Sequence, residues 1–273
     1  MSTWINGRPR TLIDHRDRGL QYGDGVFESM RVRRRRVRLL DFHLERLFEG
    51  CRRLKIAAPR LGELRRELTR RAAMRPEAVL KLIVTRGVGP RGYRASGRER
   101  PTRLISLHPL TKSAAGVARA AVRVRMCETR VGSNPALAGL KTLNRLESVV
   151  ARGEWSDERV WEGLMRDAEG NLISGTMSNL FVRRGPELMT PILDRCGVAG
   201  VMRRWVLEQA RGVGLNPIEC RMRWEQLGQA DEVFMTNAVV GIVSVALVQW
   251  GSERVVLEGD EATGRLRARL ESL

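Results

Sequence analysis

Asn134-Pro135-Ala136-Leu137-Ala138-Gly139-Leu140-Lys141-Thr142-Leu143-Asn144-Arg145-Leu146-Glu147 is the stretch on which the reading of this 273-residue chain turns. Its lysine stands alone among apolar neighbours, ahead of a segment of helical character from Arg145 to Arg152. Desolvation disfavours an ammonium, and an amine of lowered pKa is a competent nucleophile toward a carbonyl. By itself the feature is weak. A long aliphatic stem also lets an ordinary lysine lie along apolar surface with its charge in water.

Composition narrows the choices. At 42% hydrophobic and 29% charged residues the chain reads as globular, with no apolar run of membrane-spanning length and no charged-then-apolar leader at Met1-Ser2-Thr3-Trp4, so a cytoplasmic home is expected. Four scattered cysteines (Cys51, Cys127, Cys196, Cys220) and three scattered histidines (His15, His43, His108) match no disulfide framework or metal-ligand spacing. The formal charge of +18 raises nucleic-acid binding as a possibility. The basic residues are spread along the whole chain, however, and only four of the 49 are lysines. The one dense run, Arg33-Arg34-Arg35-Arg36, falls where a hairpin tip belongs, so an exposed basic loop is the expectation and no nucleic-acid partner is implied.

Along the first hundred residues strand and helix signals alternate. Asn6-Gly7 is a tight hairpin turn, and Val26 to Val32 alternates as a half-buried strand. Asp41 is placed as the N-cap of a helix whose Leu44, Leu47, Phe48, Cys51 and Leu54 recur at helical spacing. Leu61 to Arg75 gives a second, charged helix; Val79 to Val84 and Leu104 to Leu107 give strands. Beyond these come a strand at Ala121 to Met126, a strand meander from Gly163 to Met189 turning at Ala168 to Asn171, and a helix from Gly200 to Gly212. The apolar run Val233 to Val248 is interrupted at Thr236-Asn237 and Gly241, and a charged helix closes the chain. The expected architecture is α+β in two domains, 1–110 and 119–273, with a linker at 111–118.

The segment around Lys141 resembles the lysine segment of the aminodeoxychorismate lyases, within the fold type IV pyridoxal-phosphate enzymes. Five more segments resemble the same family in the same order: Asp17 to Glu28, His43 to Leu47, Arg86 to Tyr93, Gly175 to Phe181 and Cys196 to Arg203. The resemblance implies a two-domain, D-amino-acid aminotransferase-like fold with pyridoxal 5′-phosphate at the domain interface, acting as a homodimer on a small-molecule substrate. It implies Lys141 as the Schiff-base lysine and proton shuttle. Arg46 is implied as the phosphate anchor, where a planar guanidinium offers a bidentate pair. The amides of Gly200, Val201 and Met202 at a helix start are implied as an anion site, and Asn179 as a further cofactor residue. For Asn237 and Ala238 two readings stand level, a second phosphate contact or a simple β-bulge.

Arg91 and Tyr93 resemble the lyase branch of the family and would serve a substrate that carries two carboxylates, although Arg91 reads equally as one more surface arginine. The implied reaction converts 4-amino-4-deoxychorismate into 4-aminobenzoate and pyruvate in folate synthesis. An aminotransferase acting on a branched-chain or D-amino acid is the alternative, followed by an impaired cofactor-binding paralogue. The sequence departs from the family at Ser174, where a glutamate normally pairs with the pyridine nitrogen. It departs also at the arginine run, where the hairpin tip normally contains glycine.

Overall fold

The computed structural model describes residues 2–111 and 121–273, so that the expected linker, Thr111 apart, lies outside the described residues. The chain forms two compact units, and the division does not follow the sequence simply. Leu140–Asn144, with Lys141 inside it, belongs with the residues up to Thr111; the second unit holds the described residues from 121 to Gly139 and Arg145–Leu273.

The first unit is a six-stranded antiparallel sheet with helices on one face. Its elements are β1 (Ser2–Ile5), β2 (Arg8–Pro9), α1 (Arg18–Tyr22), β3 (Gly25–Arg33), β4 (Arg36–Val37), α2 (Leu40–Arg53), α3 (Leu61–Ala72), β5 (Glu77–Thr85) and β6 (Thr102–His108), with strand order β2-β1-β6-β5-β3-β4. Strand alternation sends Val26, Met30 and Val32 of β3, Leu80, Leu82 and Val84 of β5, and Ile105 and Leu107 of β6 to one side, where they pack with Leu44, Leu47 and Cys51 of α2 and Leu64 and Leu68 of α3. Asn6 and Gly7 take φ of 50° and 82°, as a two-residue hairpin turn requires. The sequence reading missed α1, a single turn started by Asp17 Oδ1, which accepts from Gly19 N at 2.8 Å.

The start of α2 is a correction. Leu39, not Asp41, holds the cap position, in the left-handed region at φ 54° and with no side-chain cap bond. Only Arg38 and Leu39 separate β4 from the helix, so the chain must turn sharply at Leu39. Asp41 sits in the first turn, where its charge still favours the positive helix end, and accepts from Arg65 Nη2 of α3 at 2.5 Å.

The second unit contains β7 (Val122–Arg130), α4 (Leu146–Arg152), β8 (Val160–Arg166), β9 (Leu172–Gly175), β10 (Asn179–Arg184), β11 (Glu187–Pro191), α5 (Val201–Ala210), β12 (Asn216–Cys220), β13 (Glu232–Asn237), β14 (Gly241–Trp250), β15 (Glu253–Val256) and α6 (Glu261–Glu271). The sheet order is β12-β11-β10-β13-β14-β7-β8-β9, with β15 beside β14. Three of its pairings are parallel: β11 with β12, β14 with β7 and β7 with β8. The long apolar run of the sequence is the β13–β14 hairpin. Phe181 of β10 and Phe234 of β13, register partners, stack at 4.9 Å in the core. The four cysteines are free, and burial pushes the Cys127 thiol up to about 12, so it is no poised nucleophile.

Candidate active site

The lysine segment is held by backbone hydrogen bonds to the start of β3. Phe27 N donates to Lys141 O at 3.0 Å, Leu143 N donates to Gly25 O at 3.0 Å, and Thr142 forms an antiparallel bridge with Val26. Gly25 makes this approach possible: a Cβ there would lie 2.7 Å from Val84 O and 2.8 Å from Leu143 Cδ1. With its backbone fixed on both sides, Lys141 carries its Nζ 4.4 Å from the centre of the Phe27 ring. The residue is half-buried and outside any helix or strand, and α4 begins only at Leu146.

Two residues on from Val26, on the helix-facing side of β3, stands Glu28, which is buried. Arg46 of α2 donates to it through two nitrogens, Nε to Oε1 at 2.8 Å and Nη2 to Oε2 at 2.5 Å, and His43 Nδ1 lies 2.6 Å from Oε2. Burial would raise the Glu28 carboxyl, but the Arg46 charge and then His43 outweigh it and hold the group at about 2. Burial lowers the His43 pKa more than Glu28 restores it, so His43 is neutral near pH 7 and donates Nδ1–H to the carboxylate. Arg46 is therefore an oriented cation. Glu28 and His43 fall within two of the family-like segments with no role implied for either; a glutamate at a core-facing position of an apolar strand is the signal that points to the cluster.

In the second unit Asn179 opens β10 and clamps the loop that enters α5. Its Nδ2 donates to Val198 O at 2.9 Å and its Oδ1 accepts from Gly200 N at 3.1 Å. A Cβ on Gly200 would fall 2.1 Å from Asn179 Oδ1, so the clamp requires glycine. Gly200 is the cap residue of α5, and no side chain caps the helix start that Val201 and Met202 begin. Such a start presents backbone N–H groups and a partial positive charge, the means of holding an anion. Of the three amides expected to do so, that of Gly200 is already given to Asn179. Thr236, the register partner of Asn179, buries a hydroxyl that has no hydrogen-bond partner. The sequence did not single it out, because threonine in a strand is ordinary.

Asn237 resolves one of the open readings against the bulge. Its pairing with Gly241 is regular, and its Oδ1 accepts from Val239 N at 3.0 Å and Val240 N at 2.8 Å, so its side chain shapes the turn that carries Ala238. Ser174, half-buried on β9, donates Oγ–H to Gly175 O at 2.9 Å, leaving its oxygen as an acceptor. The adjoining turn is organised by a buried carboxylate that the sequence also missed. Glu162 accepts from Thr176 Oγ1 and Ser178 Oγ, both at 2.6 Å, and from the amides of Gly163, Thr176 and Met177. With five donors around it, Glu162 is a structural tie for residues 175–178.

Arg91 and Tyr93 are exposed, Tyr93 at 89% of its surface. Their backbone is nevertheless pinned. Buried Arg18 donates to Gly92 O at 2.8 Å and Tyr93 O at 2.9 Å, and Tyr22 Oη accepts from Gly92 N at 3.0 Å. A fixed loop thus presents two outward side chains.

The family described as amino-transferase class IV matches residues 25–248, and the chain belongs to that family. The fold is accordingly the α+β arrangement of the class IV, fold type IV enzymes. An aminodeoxychorismate lyase of Vibrio harveyi is 32% identical over 270 residues, covering 98% of this chain and 99% of the relative. The crystal structure of 4-amino-4-deoxychorismate lyase from Pseudomonas aeruginosa matches with a TM-score of 0.93 at 44% identity, over 99% of this chain and 98% of that one. A putative branched-chain-amino-acid aminotransferase of Methanocaldococcus jannaschii is 31% identical over 258 residues, covering 90% and 87%.

Proposed function

We propose that this chain is a 4-amino-4-deoxychorismate lyase that uses pyridoxal 5′-phosphate to form 4-aminobenzoate and pyruvate. The observation that carries the reading is the likeness to the Pseudomonas aeruginosa lyase over nearly the whole of both chains. The residues present fit the cofactor: the unpartnered hydroxyl of Thr236 and the uncapped start of α5 both call for anionic oxygens, as a phosphate ester supplies. In this reading Lys141 carries the covalent link, Arg46 with Val201 and Met202 holds the phosphate, Asn179 keeps the α5 loop in place, and Ser174 faces the pyridine nitrogen. Ala238 lies in the turn shaped by Asn237, as a further phosphate contact.

When bound, the cofactor supplies an electron sink that acidifies the hydrogen on the substrate's amine-bearing carbon. Lys141 Nζ, held beside Phe27, is the base that takes this proton. Expulsion of enolpyruvate from the neighbouring carbon then leaves an aromatic ring, and protonation of the enol carbon gives pyruvate. Arg46, oriented by Glu28, fixes the far end of the cofactor so that the geometry at Lys141 is kept. Arg91 and Tyr93, on their pinned loop, serve the substrate's other, enolpyruvyl carboxylate end.

The aminotransferase reading draws on the Methanocaldococcus jannaschii relative. Incubation of the purified holoenzyme with aminodeoxychorismate should release 4-aminobenzoate, while an amino donor with a keto acid gives only traces of product. Fast transamination without 4-aminobenzoate would reverse the assignment. Borohydride reduction followed by peptide mapping should place the pyridoxyl group on Lys141, not on Lys55, Lys81 or Lys112. A cytoplasmic homodimer completes the proposal. Leu146, Val149 and Val150 form an exposed apolar face on α4 that a second copy would cover, and no helix among the described residues is long and apolar enough to cross a membrane.

A further inference from the structure

The face of the six-stranded sheet turned away from α2 and α3 is built in cross-strand rows. One row is apolar: Phe27, Ile83, Leu104 and Ile5 are successive register partners on β3, β5, β6 and β1. The next is polar throughout: Ser29, Lys81, Ser106 and Thr3. Ser106 is buried, and its Oγ lies 2.8 Å from Nε2 of His108 on the same face. Arg31, further along β3, is occupied by Glu77.

Lys81 is half-buried in this polar row, and among the described residues no carboxylate and no hydrogen-bond acceptor partners its Nζ. An ammonium partly removed from water without an anion is an unfavourable arrangement, unless a ligand completes it. Its position relative to Lys141 indicates which ligand. The two Nζ atoms share one aromatic ring: Lys81 lies 5.4 Å and Lys141 4.4 Å from the centre of Phe27. One flat ring is therefore within reach of both a reactive amine and a second cation that no anion partners, set in a row of hydroxyls.

We propose that Lys81, with the hydroxyl of Ser29 beside it, binds the ring carboxylate of the substrate and so selects a molecule whose amine and carboxylate stand at opposite ends of a six-membered ring. The inference rests on the lyase reading and deepens it. In 4-amino-4-deoxychorismate the amine and ring carboxylate are para to one another; with the amine at Lys141, the ring lies along Phe27 and the carboxylate extends toward Lys81. A simple amino acid carries both groups on one carbon, so an amine at Lys141 keeps its carboxylate there too. Lys81 thus separates lyase substrates from aminotransferase substrates by reach. It is a specificity residue, and the proton transfer at Lys141 does not pass through it.

The test uses holoenzyme and two rigid ligands of one shape, 4-aminobenzoate and its neutral amide, titrated by calorimetry against wild type, Lys81→Met and Lys81→Arg. Wild type should prefer the carboxylate at least tenfold. Lys81→Met should lose at least tenfold in 4-aminobenzoate affinity with the amide unchanged, and Lys81→Arg should recover most of the loss. In the lyase assay Lys81→Met should raise KM far more than it lowers kcat. Wild-type indifference between the ligands, equal weakening of both in Lys81→Met, or undiminished 4-aminobenzoate binding by that variant would each overturn the proposal. A holoenzyme that releases no 4-aminobenzoate from aminodeoxychorismate, yet binds the carboxylate through Lys81, would refute the lyase reading and leave the subsite standing.

Discussion

Arg46 reaches the buried Glu28 carboxylate through two nitrogens, at 2.8 and 2.5 Å, and so fixes a cation midway along α2, against β3. Because the folded Glu28 titrates at about 2 against an ordinary 4.5, its ionised form stabilises the fold above pH 4.5, and that stability is lost as pH falls through 2. Glu28→Gln should remove roughly 1–3 kcal/mol at neutral pH and flatten the stability profile between pH 4.5 and 2. It should also weaken cofactor binding by freeing the guanidinium to turn. Denaturant titrations across this pH range, with cofactor titration at pH 7, measure both effects; an unchanged acid limb would show that the pair contributes nothing.

Gly200 and Asn179 are in mutual dependence at the start of α5, since any Cβ on Gly200 would collide with the Asn179 amide oxygen. Gly200→Ala should displace the loop, cost tenfold or more in cofactor affinity and leave far-UV circular dichroism close to wild type. Loss of the folded signal altogether would mean that the clamp holds the second unit together and is not confined to an anion site.

The arginine run forms the β3–β4 turn, and both central residues pay the left-handed penalty: Arg34 has φ 50° and Arg35 φ 63°. Arg35 is partly compensated by a 2.7 Å bond from Nη1 to Ala73 O. Arg34→Asn keeps that bond and supplies a residue that tolerates the conformation, so stability should rise by about 0.5–1 kcal/mol with activity unchanged. A thermal melt is sufficient, and a lowered Tm would contradict the strain argument.

The sequence made the elements legible where period and punctuation agree, as at β3, α2 and the Asn6-Gly7 turn. It failed where local signals are small or misleading. The single turn α1 is too short for a periodic pattern, β12 is interrupted by Pro217, and Asp41 looks like a cap although Leu39 makes the turn. For the proposed site, the motifs point to Lys141, Arg46 and Asn179, but the neighbours the fold brings to it stay hidden. Glu28 is met by residues of α2, Glu162 by the turn beyond β9, and Thr236 comes beside Asn179 only once β10 and β13 are in register. The row that joins Lys81 to Ser29 and Ser106 is invisible for the same reason.

In the function proposed above, Ser174 stands where a glutamate would keep the pyridine nitrogen protonated. Its hydroxyl hydrogen is already given to Gly175 O, so only a lone pair is left for a neighbour, with no negative charge behind it. A ring facing this serine is less readily protonated and is a weaker electron sink than one paired with a carboxylate. Transamination depends on that sink throughout, because the proton must be returned at a cofactor carbon. Elimination depends on it less, since expelling enolpyruvate creates an aromatic ring. Ser174→Glu should therefore raise aminotransferase side activity by tenfold or more while lyase activity changes by no more than a few fold. It should also change the pH response of the bound cofactor's absorption band, a readout independent of turnover. Both activities need measuring on the same preparation, because the new carboxylate lies on β9 beside the turn tied by Glu162 and disturbance there would depress both. If lyase activity instead climbs by orders of magnitude from near zero, the serine is an impairment and not a tuning of the site toward elimination.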